Sequence, residues 1–72
     1  MEIIKVYFTR GNETLIGNEF EQDLFGLVHA YNYITQAKEF LIEKGYKNIT
    51  ISTNYENLKD FCKEVNKEFT IV

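Results

Sequence analysis

Seventy-two residues make one domain, spanning 1–72, and a chain this short buries only about 60% of its unfolded surface. Eleven acidic residues against eight Lys and Arg leave a net charge of −3, which gives no footing for a phosphate backbone and argues against a nucleic-acid partner. The single cysteine, Cys62, excludes an internal disulfide and fits a reducing compartment. Met1-Glu2-Ile3-Ile4-Lys5 has neither the basic start nor the apolar run of a leader, and no stretch reaches the roughly 20 apolar residues of a membrane span. A cytoplasmic location with no membrane contact is therefore expected.

In chain order, Ile3 to Thr9 reads as the first strand. Ile4, Val6 and Phe8 alternate with Lys5, Tyr7 and Thr9, the period of a strand. Its apolar character predicts a place inside the sheet. Gly11-Asn12 reads as a two-residue hairpin loop, which would set Phe8 opposite Leu15 and Tyr7 opposite Ile16. The second strand, Glu13 to Ile16, is expected to stop at Gly17.

Glu19 to Lys44 reads as one long helix. Asn18 is a candidate N-cap with Glu21 completing a capping box, and Gly45 can take the left-handed position after the last turn. Tyr46 could then fold back on Leu41 or Ile42. At about 1.5 Å per residue such a helix would run about 39 Å, well beyond the roughly 17 Å of a five-residue strand. Either the first turn is not helical, Gly26 bends it, or one end overhangs the sheet.

Spaced at about 100° per residue, Phe20, Leu24, Leu27, Val28, Tyr31, Ile34, Leu41 and Ile42 form the expected core face, with Ala30 and Ala37 at its margin. Phe25, His29, Tyr33 and Phe40 fall on roughly the opposite side. The first three lie at i, i+4 and i+8, so they form a ridge. Either the second helix covers this ridge, or its aromatics are ordinary scattered surface residues, or it is a contact surface for a partner or a second copy.

Tyr46-Lys47-Asn48 is a predicted loop, and Ile49 to Thr53 the third strand. Ile49 and Ile51 point inward, Thr50 and Ser52 outward, so one face of the sheet meets water. Thr53 and Asn54 are expected to cap a second helix with Glu56 completing the box. Tyr55, Leu58, Phe61, Cys62 and Val65 form its core stripe, and its charged side reads as a solvated surface. That helix should end at Asn66 or Lys67, with Phe69 and Ile71 in a last short strand and Thr70 pointing outward. The expected fold is a small α/β (α+β) two-layer sandwich: ββαβαβ, a four-stranded mixed sheet with both helices on one face.

The run from Leu27 to Phe61, through Ala37-Lys38-Glu39 and Gly45-Tyr46-Lys47-Asn48-Ile49-Thr50, resembles part of the ribonuclease H fold. In that family a helix, a turn of this kind, a strand closed by an acidic residue and a second helix follow one another. Asn54 stands at the matching position, Leu24 to Val28 hold no carboxylate, and the first strand offers Thr9 and Arg10. An amide cannot hold divalent metal ions as a carboxylate does. The resemblance therefore implies a shortened, inactive scaffold.

No catalytic group, metal site or cofactor site is expected from the residues. His29 is the only histidine and has no acidic residue at i±3 or i±4. Cys62 lies on an apolar stripe, where a structural thiol outweighs a nucleophile. The leading expectation is a non-enzymatic interaction protein, a small inhibitor or adaptor binding a larger protein partner or itself as a homodimer. Phe25, His29, Tyr33 and Phe40 are the candidate contact residues. By analogy with small proteins of phage and mobile elements, an anti-defence inhibitor is a natural subclass. The alternative is a nucleic-acid-associated domain, which needs Lys5, Arg10, Lys44 and Lys47 to converge with Tyr7 or Tyr46.

Overall fold

β1 (Ile3–Arg10) runs through the middle of the sheet, with β2 (Glu13–Glu21) on one side and β3 (Thr50–Thr53) on the other. The structure, a computed structural model, describes residues 2–70, and α1 (Leu24–Glu43) and α2 (Glu56–Thr70) complete it. β1 is central as its composition predicts: Ile4, Val6 and Phe8 are fully buried beneath the helices.

The sheet departs from the expected four-stranded mixed one. Among the described residues it has three strands and is antiparallel throughout, because both β2 and β3 pair antiparallel to β1. α1 carries the chain from β2 across to the far side of β1, so the two parallel strands are not neighbours. The order among the described residues is ββαβα. Phe69, expected in a fourth strand, is helical instead. It extends the buried stripe Leu58, Cys62, Val65 at helical spacing, and no glycine or proline interrupts the run before it. Its ring meets Phe8 edge-on with centroids 6.4 Å apart. Thr70 closes α2 as described, and Ile71 lies outside the described residues.

The hairpin loop is Gly11-Asn12, as predicted, since Arg10 pairs with Glu13 and Thr9 with Thr14. The register then slips between Phe8 and Thr9. Leu15 is the extra residue of a bulge, so Phe8 faces Ile16 and Tyr7 faces Gly17. Gly17 does not end the strand: it pairs with Tyr7, whose ring lies against it where a Cβ would be. Beyond it, Asn18 to Glu21 are strand and not the start of a helix. Phe20 pairs with Ile4 on the core side, and Glu19 pairs with Lys5 on the outer side. A β1 of eight residues offers a pairing partner along this whole stretch, and ladder bonds outweigh a local cap at Asn18.

α1 therefore starts at Leu24, and Asp23 is its N-cap, accepting from the Gly26 N–H at 2.7 Å. Its twenty residues span about 30 Å. The far end follows the predicted geometry. Gly45 has φ +87°, its N–H donates to Ile42 O, and the Tyr46 N–H donates to Leu41 O, both at 3.0 Å. These are the paired bonds of a Schellman ending.

Both helices lie on one face of the sheet. Phe8 touches Tyr33 of α1 at 6.0 Å and Phe69 of α2, while Tyr31 meets Phe61 between the helices at 4.9 Å. The opposite face, with Lys5, Glu19, Thr50 and Ser52, stands in water.

Asn54 does not cap α2. Its Oδ1 accepts from the Lys5 N–H at 2.7 Å, and its Nδ2 donates to Ile3 O at 2.9 Å. The carboxamide replaces a peptide group and prolongs the β1–β3 ladder by one step past Thr53. Thr53 Oγ1 instead takes the Tyr55 N–H at 3.2 Å. An amide carries the separate donor and acceptor that this position uses, whereas a carboxylate only accepts. Asn54→Asp, which turns the donor to Ile3 O into a second acceptor, should cost about 1 kcal/mol. Chemical denaturation of the two proteins checks this, and equal midpoints would mean that the bridge contributes nothing.

Candidate functional site

Five large apolar side chains among the described residues stand well exposed, and all are on α1: Leu24, Phe25, Val28, Phe40 and Ile42. The helix surface away from the sheet is thus the candidate site. Its geometry begins with the line that α1 does bury: Gly26, Ala30, Ile34, Ala37 and Leu41. Three of these five are Gly or Ala. Small residues thus take most of the positions that α1 turns to the sheet. The core face is therefore rotated from the expected one, with Ala30 and Ala37 at its centre and not its margin.

That rotation moves residues both ways. Leu24 (73% exposed), Val28 (49%) and Ile42 (46%), expected in the core, are turned outward. Tyr33, expected on the exposed ridge, is turned inward. Its ring sits 6.0 Å from Phe8 and 5.6 Å from Phe20, and burial raises its pKa above the ordinary tyrosine value. Phe25 is the most exposed of all at 75%, and His29 beside it is also exposed. Phe40 is exposed but carries Lys44 over its ring, with Nζ 5.6 Å from the centroid.

The four candidate residues therefore do not form one strip. Phe25 and His29 lie together at the start of α1, Tyr33 packs on the sheet, and Phe40 is about 22 Å from Phe25 along the axis. What the structure assembles is a first-turn cluster of Leu24, Phe25 and Val28 with His29 at its edge. Sequence reasoning missed Leu24 and Val28 because large side chains dominate a periodicity reading. The alternative signal was present: Gly26, Ala30 and Ala37 fall on one line at i, i+4 and i+11.

The cluster is held firmly from below. The Asp23 carboxylate fixes the Gly26 N–H, the Leu27 N–H bonds the Asp23 carbonyl at 2.9 Å, and the Asp23 N–H bonds Glu21 O at 2.9 Å. The sharp junction between β2 and α1 thus presents Leu24 and Phe25 from rigid backbone.

The remaining candidate groups have structural surroundings. Cys62 is buried among apolar side chains, which pushes its thiol up to about 11 and leaves little thiolate near neutrality. Arg10 lies over the Tyr46 ring at 5.2 Å but is paired with Glu13 at 3.1 Å, and Lys5 faces Glu19 across the ladder. Among the described residues no group of three or more His, Cys, Asp or Glu is placed to hold a metal ion, and no helix is long and apolar enough to cross a membrane. No family model, curated protein or solved structure matches this chain.

Proposed function

We propose that this chain is a non-enzymatic binding module, a small inhibitor or adaptor that seats the start of α1 on a larger protein. The observation that carries the reading is the exposed trio Leu24, Phe25 and Val28 on a capped, rigid helical turn. Leu24 and Val28 at i and i+4, and Phe25 and Val28 at i and i+3, have the spacings at which a helix anchors in an apolar groove. Removing the exposed parts of these side chains from water is worth about 1 to 2 kcal/mol each before the costs of association. Because hydrogen bonds hold the backbone beneath them, the ordering cost of docking falls mainly on the side chains.

Leu24→Ala combined with Phe25→Ala should leave the denaturation midpoint unchanged and weaken partner binding by about 2 kcal/mol or more, the hot-spot threshold. Affinity capture with wild-type and variant protein identifies the partner, and a binding isotherm with the purified partner measures the loss. Sedimentation of the chain alone separates a larger partner from a second copy. Unchanged affinity together with an unchanged oligomeric state would overturn the reading.

A further inference from the structure

On its side away from β1, β3 is an open edge, to which α2 hydrogen-bonds through one side chain among the described residues. Asn66 reaches across so that its Oδ1 accepts from the Ile51 N–H at 2.7 Å and its Nδ2 approaches Ile51 O at 3.5 Å. Both Ile51 backbone groups therefore point away from β1. Inward and outward groups alternate along an antiparallel ladder, so the N–H and C=O of Thr53 point the same way. No hydrogen bond from α2 meets them among the described residues.

At Thr53 the edge opens into a groove of about 290 Å³. Ser52 and Thr53 line one side, and Lys59, Cys62, Lys63 and Asn66 of α2 line the other. Lys59 and Lys63 are one helical turn apart and set positive charge along the groove. Lys63 has no ion pair among the described residues, and that of Lys59 is an exposed contact with Glu56 at 3.2 Å.

We propose that this groove takes an extended acidic peptide, which adds to the free edge of β3 at Thr53 and sets its carboxylates on Lys59 and Lys63. Asn66 on Ile51 shows that the outward backbone groups of this edge are open to an amide donor and acceptor, the groups an incoming strand would bring to Thr53 from two successive peptide units. Strand addition takes its affinity from such main-chain bonds and its selectivity from the side chains that flank them. The charges also separate the two edges of the sheet. β2 carries Glu13, Glu19 and Glu21, which repel an acidic strand, whereas the α2 lysines beside β3 attract one.

The test is an amide chemical-shift titration of the labelled protein with a capped peptide of alternating Glu and Val, and in parallel with its Lys and Val counterpart. The acidic peptide should shift Ser52, Thr53 and Asn54, less so as salt is raised, and the basic one should not. Lys59→Glu with Lys63→Glu should weaken the acidic peptide by at least about tenfold and reverse the preference. Thr53→Pro removes the outward N–H without touching the β1 ladder and should abolish the shifts while both lysines remain. If that variant does not fold, the charge-reversed pair decides alone. Equal response to the two peptides, shifts confined to α1, or unchanged binding by the charge-reversed protein would each overturn the proposal.

Discussion

Gly26→Ala should destabilise the domain by about 3 kcal/mol, at the upper end of ordinary overpacking costs. The direction is the opposite of the usual one, since replacing a helical glycine by alanine normally gains about 1 kcal/mol. Gly26 lies in the first turn of α1 where the end of β2 doubles back against it. A Cβ there would be 1.7 Å from Glu21 O and 2.8 Å from Glu21 C. Both atoms are backbone, so no side-chain rotation relieves the overlap. Relief requires moving the junction, which would pull the Gly26 N–H from Asp23 and the Asp23 N–H from Glu21 O. Thermal or chemical denaturation of the variant measures the cost. A neutral or stabilising result would mean that the junction yields easily, and the exposed trio above it would then not be rigidly presented.

Phe8→Ala should cost about 4 kcal/mol, within the range for removing a buried aromatic ring. Phe8 is fully buried, and its ring meets both helices, through Tyr33 and Phe69. Small domains hold stabilities near the lower end of about 5 to 15 kcal/mol, so this loss should leave much of the variant unfolded at room temperature. Phe25→Ala is the matched control: the same change at a ring three-quarters in water should alter stability by no more than about 0.5 kcal/mol. Far-ultraviolet circular dichroism of the two variants side by side checks both. Comparable losses would place Phe25 in the core and remove the basis for a contact surface at the start of α1.

The features legible in the sequence are those set by a few adjacent residues. Gly11-Asn12 makes a two-residue loop, and Gly45 makes the left-handed turn after α1, because each conformation is decided by the residue that occupies it. The alternation in β1 and in Ile49 to Thr53 fixes which side of each strand is apolar, whatever the strands pair with. The same holds for the stripe Leu58, Cys62 and Val65 on α2.

Only the tertiary structure decided the boundary between β2 and α1, the rotation of α1 and the fate of two asparagines. Asn18 and Asp23 are both competent N-caps. The choice between them came from β1, which pairs with every residue from Ile16 to Glu21. The rotation of α1 came from the fit between helix and sheet, in which Ala30 and Ala37 rather than Leu24 and Val28 face inward. That fit is a property of two packed layers, and no window of helix sequence contains it. Asn54 and Asn66 each resemble ordinary polar surface residues until β1 and β3 bring unpaired backbone groups to them. Their carboxamides satisfy the backbone groups of Ile3, Lys5 and Ile51 because groups left unpaired by the chain's path must find donors and acceptors elsewhere, and the path is fixed by contacts between residues far apart in sequence.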